Sequence, residues 1–299
     1  MHSNYKTIFI SIIFAYQIAL ILFAFAQGVE SMRYFSLLQL PIFIVPILFI
    51  IKENNQISSP KNETININFP PHSEQIDIKS NFWDTVRNYL KLNLNFKPEI
   101  IVYTLWGLLG LNLLGIGVTN VTEFLLPNEL IKSYNSLMRN AVEAQTSITT
   151  NHSKTIFEFI QITFFIALVP AICEEILFRG YLMKNIMVSN SPRFALIASA
   201  LIFAFIHFNV VAFLPIFFIG LYLGALVYAT KSIIPSMLLH FLNNFFVVIS
   251  VNYGFTMNYY GQSMSILFGF LLFILGGLLM LFSYNRIDNI CKTTFFRIS

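Results

Sequence analysis

Apolar residues in this chain fall in long blocks, at 7–26, 34–51, 100–118, 155–187, 194–208, 211–229, 233–251 and 264–284. Blocks of roughly 17–25 apolar residues are long enough to cross a hydrocarbon core of about 30 Å as helices. A helix is also the one open segment that satisfies all its backbone polar groups internally. The pattern therefore predicts an all-α fold, a polytopic membrane helical bundle of about eight transmembrane helices. Links between the blocks at 194–208, 211–229 and 233–251 are so short that these helices must be antiparallel neighbours. The block at 155–187 exceeds what a straight span needs, and Pro170 inside it predicts a kink rather than a division in two.

Polar stretches separate the early blocks. Within residues 52–99, the apolar positions Phe82, Val86, Tyr89 and Leu90 suggest an amphipathic surface helix over 82–94, with an ordinary connector as the alternative. A second loop, 120–154, has a helical pattern over 130–142. It is flanked by two sequons, Asn120-Val121-Thr122 and Asn151-His152-Ser153, that match the glycosylation pattern. The first block ends in Ala24-Phe25-Ala26, as a cleaved signal peptide would. Its apolar length and the single Lys6 before it favour a retained span. The chain thus divides into 1–154, N-terminal transmembrane helices with polar loops; 155–251, a polar-bearing core; and 252–299, a last helix and a tail.

Composition supports the membrane class: of 299 residues, 56% are hydrophobic and 11% charged, with a mean hydropathy of +0.70. Soluble domains carry about 25% charged residues. The net charge of +4 does not mark a nucleic-acid partner, because the basic residues are scattered between apolar blocks. They follow topology instead: thirteen fall on one side and four on the other when both termini are cytoplasmic, with Arg179 set apart inside a span. That is the positive-inside bias of a multi-pass protein of the plasma (inner) membrane. The lipid bilayer is then one partner. Cys173 and Cys291 form neither a disulfide framework nor a CxxC metal motif.

Between residues 159 and 230 the acidic side chains are Glu174 and Glu175 alone. Ionisable groups at bilayer depth are costly, and those that persist face a protein interior or a water-filled cavity. Arg179 stands one turn beyond Glu175 on the same helix face. A bland alternative puts this cluster at a helix end in the headgroup region, where long side chains snorkel. His207 and His240 also lie inside apolar blocks, with Phe203 one turn before the first and Asn244 one turn after the second. Taken singly, each has a packing explanation, an interhelical hydrogen bond being worth about 1 kcal/mol.

Taken together they describe chemistry. A buried carboxylate can serve as a general base near neutral pH, sharing its proton with a histidine. Imidazole and amide N–H groups stabilise the oxyanion formed when water attacks a carbonyl. The combination reads as hydrolysis of an amide of a membrane-associated peptide or protein substrate. A serine or cysteine nucleophile is less supported: there is no G-x-S-x-G, and Cys173 points about 100° away from Glu174 on a helix. No required cofactor is the favoured reading. Glu174, His207 and His240 nonetheless form a zinc-type ligand set, although H-E-x-x-H is absent. Two other classes stay open, a transporter or proton relay using buried Glu and His and a non-catalytic membrane scaffold. A transporter would carry an internal repeat, whereas the motifs occupy one half of the chain.

Glu174-Glu175-Ile-Leu-Phe-Arg179, then Phe203-x-x-x-His207, then His240-x-x-x-Asn244, resembles the three-motif signature of the CPBP family (CAAX prenyl endopeptidase and bacteriocin-processing, or Abi) of intramembrane proteases. The resemblance covers about residues 159–250. It implies a helical membrane core around a hydrophilic cavity. It further implies that Glu174 and His207 activate water, that His240 and Asn244 stabilise the oxyanion, and that Glu175 and Arg179 orient or neutralise the site. Family members are described as metalloproteases and as metal-independent glutamate proteases, and some bacterial members as immunity proteins or scaffolds.

Overall fold

The computed structural model describes residues 92, 96–127, 129–133, 155–207, 209–252 and 265–291. The blocks at 7–26 and 34–51, the amphipathic stretch at 82–94 apart from Leu92, the Asn151 sequon and most of 130–142 lie outside these residues. Helices account for all regular structure among the described residues. They are α1 (Glu99–Leu125), α2 (residues 156–189), α3 (Pro192–Phe205), α4 (Phe213–Thr230), α5 (Ile234–Asn252) and α6 (Ile266–Cys291). Six of the eight expected blocks correspond to these helices. By length and composition, α1, α4, α6 and the Phe159–Ser189 portion of α2 can cross a membrane.

Two expected spans come out as shorter apolar helices, α3 and the Ile234–Ser250 portion of α5. Helix α3 has 14 residues, which at 1.5 Å per residue is about 21 Å, well short of a 30 Å core. It starts where Ser191 Oγ accepts the Phe194 N–H at 3.3 Å and Pro192 supplies a preset φ. It stops at Phe205, so the expectation of a span reaching residue 208 is corrected. The chain turns at Ile206 and His207, then Asn209 Oδ1 accepts the Ala212 N–H at 2.8 Å. This side-chain bond holds the turn into α4. Helix α4 ends on Lys231, whose φ of 53° is left-handed, a helix-terminating conformation that a non-glycine residue adopts at some cost.

Helix α2 runs through Pro170 as one helix. Its hydrogen-bond pattern widens twice, over Thr163–Leu168 and Ile176–Met183, where the turns are π-helical. Proline has no N–H and its ring clashes with the carbonyl four residues back. A wider turn immediately before Pro170 accommodates both problems without a break. The glutamates lie well inside α2 between the two widened stretches, not at its end.

The first and last described helices form an antiparallel pair. On α6, Gly269, Gly276 and Ser283 are buried seven residues apart. They face Gly117, Gly110 and Tyr103 of α1 in turn: a methyl group on Gly110 would sit 2.8 Å from the Gly276 carbonyl oxygen, and one on Gly117 2.5 Å from the Phe273 nitrogen. Ser283 Oγ donates to the Tyr103 carbonyl. The seven-residue repeat keeps one seam facing its partner along the whole contact, and the missing side chains let the backbones approach as small residues do between membrane helices. Asn120, in the first sequon, belongs to α1 and places its Oδ1 against Gly269, so that sequon is not in an exposed loop. Away from the seam, Leu267, Leu271, Leu278 and Leu281 of α6 are each more than half exposed, as expected of a face turned to lipid.

Candidate active site

The site is assembled from the middle of α2, the end of α3 and the first third of α5. Glu175 is completely buried, and a buried carboxylate survives only with its lone pairs satisfied. Its Oε1 accepts from Arg179 Nη1 at 2.8 Å and from His240 Nδ1 at 3.0 Å, and its Oε2 accepts from the Ser236 hydroxyl. Ser236 lies in the first turn of α5, where the positive end of the helix dipole also favours a carboxylate. The predicted one-turn pairing of Glu175 with Arg179 is therefore present as a buried ion pair.

Arg179 is divided between partners. Its Nη2 donates to the Gly220 carbonyl of α4 at 3.0 Å, while the guanidinium carbon lies 4.5 Å from the centre of the Phe203 ring. Phe203 is buried among the charged groups, with its ring centre 4.7 Å from that of His207 and 5.9 Å from that of His240. Such ring–cation and edge-to-face contacts steady polar groups that have little water around them. Gly220 makes this approach possible: a methyl group there would lie 3.2 Å from Ala200 Cα and from Phe203 Cδ1.

Glu174 looks the other way. Its Oε2 is 3.9 Å from His207 Nε2 and 3.7 Å from His240 Nε2, too long for direct hydrogen bonds. The side chain is 14% exposed and that of His207 31%, against 5% for His240. The cluster thus opens to its surroundings on the Glu174–His207 side and closes on the Glu175 side.

Hydrogen bonding fixes both imidazoles. His207 lies beyond the last residue of α3, not inside the helix as its apolar surroundings suggest. Its Nδ1 is 2.6 Å from the Phe203 carbonyl. A carbonyl only accepts, so Nδ1 carries a proton, ties down an orphan carbonyl of the helix end and leaves Nε2 toward Glu174. By the same reasoning His240 donates its Nδ1–H to the Glu175 carboxylate and aims Nε2 at Glu174. Asn244 is half-buried one turn further along α5, with no hydrogen bond among the described residues joining it to the glutamates. Ser236 and the Gly220 carbonyl were not singled out from sequence. The spacing Ser236, His240, Asn244, four residues apart twice on one helix face, carried the signal for the first, and none existed for a backbone oxygen.

The zinc-type donors stand slightly farther apart here than around a tetrahedral ion. Tetrahedral zinc at about 2.0–2.2 Å from each donor brings neighbouring donors to about 3.3–3.5 Å, closer than the two Glu174–imidazole separations. No group of three or more His, Cys, Asp or Glu side chains among the described residues is arranged to hold a metal ion.

Long apolar helices enclosing carboxylates, a guanidinium and imidazoles define an integral membrane protein with a polar centre. Residues 156–246 match the family of Rce1-like proteins, type II CAAX prenyl endopeptidases. That segment is similar to the family and covers less than a third of the chain, in agreement with the CPBP resemblance of its three motifs. The segment holds all seven residues named in the motifs. No curated protein and no solved structure gives a significant match.

Proposed function

We propose that the protein is an intramembrane endopeptidase that hydrolyses a peptide bond of a membrane-associated substrate with water activated by Glu174 and His207. The observation that carries this reading is the Glu174 Oε2 facing two imidazole Nε2 atoms at 3.7 and 3.9 Å on the more open side of the cluster. Water held between Glu174 and the His207 Nε2 lone pair gives up a proton to the carboxylate as its oxygen bonds the scissile carbonyl carbon. Collapse of the tetrahedral intermediate breaks the C–N bond, and the proton moves from Glu174 to the leaving amine. His240 Nε2 and the Asn244 amide stabilise the oxyanion. For that task His240 carries a proton on each nitrogen, since its Nδ1–H is already given to Glu175. Glu175 and Arg179 hold the imidazole and cancel each other's charge.

In this reading no metal is required, the substrate reaches the site from the bilayer, and both termini face the cytoplasm of a plasma membrane, as the basic residues favour. This reading does not restrict the substrate to a prenylated CAAX protein. Purified protein in detergent, assayed against a demonstrated substrate, tests the reaction. Glu174→Ala, His207→Ala and His240→Ala should each abolish cleavage while the protein still inserts, a general base being worth about 10²–10⁴-fold. Full activity in all three variants would end the proposal. A chelator should leave the wild-type rate unchanged, and its loss would return the metal reading.

A further inference from the structure

Glu175 is too deeply buried to meet a substrate, yet three side chains converge on it. The division of labour among them is uneven. Oε1 takes both Arg179 Nη1 and the His240 Nδ1–H, while Oε2 belongs to Ser236. A guanidinium beside a carboxylate ordinarily closes a two-point fork, with two parallel N–H···O bonds. Here the fork is split, because Nη2 goes instead to the Gly220 carbonyl. With Nη2 on the Gly220 carbonyl, Oε2 is left to the Ser236 hydroxyl. Without it, the carboxyl group turns about its terminal bond, Arg179 spans both oxygens, and Oε1 is drawn away from the imidazole.

We propose that Ser236 is a positioning residue: by donating to Glu175 Oε2 it keeps Arg179 on a single oxygen and leaves Oε1 to hold His240 through its Nδ1–H. The hydroxyl is well placed for this. Ser236 is fully buried in the first turn of α5 behind Pro235, and Ser232 Oγ accepts the Ile234 N–H at 3.3 Å to fix the helix start. It stands one turn before His240 on the same helix, so the residue that clamps the carboxylate and the residue that depends on it move together. Alanine is a better helix former than serine, so Ser236→Ala removes the hydroxyl without weakening α5.

This inference rests on the hydrolytic reading for its kinetic effect but not for its geometry. Ser236→Ala should lower kcat about 10- to 100-fold, the range seen when an outer partner of a ligating or catalytic histidine is removed, with KM within about twofold of the wild type. Ser236→Thr, which keeps the hydroxyl, should recover most of that loss. On a Glu175→Gln background the same serine substitution should cost nothing further, because the two act through one contact. Multiplicative losses, or a wild-type kcat in Ser236→Ala while Glu174→Gln is dead, would overturn the positioning role alone. Activity in Glu174→Gln would instead defeat the hydrolytic reading. A second readout then decides the geometry: the downfield Nδ1–H resonance of His240, assigned by its disappearance in His240→Gln, should shift or broaden in Ser236→Ala, and an unchanged resonance overturns the inference. If Ser236→Ala does not accumulate, Ser236→Cys, similar in volume and a much weaker donor, serves in both measurements with the same criteria.

Discussion

The α1–α6 seam and the α2–α3–α5 centre solve the same problem of joining helices in an apolar medium by opposite means. At the seam, backbones meet through Gly110, Gly117, Gly269 and Gly276, and dispersion contacts between close-packed atoms hold the pair. At the centre, the helices are joined by Glu175, Arg179, Ser236 and His240, groups that are expensive to bury unless each is paired. Fully paired charges add little net stability over apolar packing of the same volume, while a broken pair is severely destabilising. Under the proposed function, the centre serves the chemistry and the seam holds the bundle together.

Substitutions can break this contrast in order of expected size. Arg179→Met leaves the Glu175 carboxylate uncompensated and should destabilise the fold by about 3–5 kcal/mol, seen as loss of monodisperse protein in detergent. Arg179→Met combined with Glu175→Gln should regain most of that stability without regaining activity. Gly276→Val meets backbone on α1 that cannot yield and should cost about 1–3 kcal/mol in thermal unfolding, with the rate per folded molecule unchanged. Tyr222→Phe removes the hydrogen bond between Tyr222 and Ser283 that ties α4 to α6 and should cost about 1 kcal/mol. Leu278→Ala, on the exposed face of α6, should change stability by less than about 0.5 kcal/mol. A large activity loss in Gly276→Val, or none in the Arg179/Glu175 double variant, would blur the line between seam and centre.

Much of this was legible in the residues themselves. The apolar blocks located α1 to α6, because in hydrocarbon the requirement for internal hydrogen bonding leaves few alternatives to a helix. The four-residue spacing of Glu175 and Arg179 predicted their pairing, and short links predicted that His207 and His240 would meet the glutamates. Other features had no such signal. The apolar run continues through Phe208, so nothing marked the end of α3 at Phe205; His207 ends that helix with a side-chain bond to a carbonyl that any sequence would supply. The π turns of α2 depend on hydrogen-bond register, which leaves no imprint on apolar text. The seam was readable in principle from Gly269, Gly276 and Ser283 at intervals of seven, but its partner residues on α1 include a backbone carbonyl of Tyr103. The resemblance alone distinguished the roles of Glu174 and Glu175; the structure distinguishes their exposure and their partners.

The widened turn at Thr163–Leu168 gives α2 a slack that an ordinary helix lacks. A π turn behaves as an α-helix with one residue inserted, so deleting one residue there should restore α spacing by taking up the surplus. The same deletion in an ordinary stretch of helix would rotate everything before it by about 100° against everything after it. A one-residue deletion in this membrane helix is therefore best absorbed between residues 163 and 168, upstream of the glutamates, where both ends of the helix keep their phase and Glu174, Glu175 and Arg179 keep theirs.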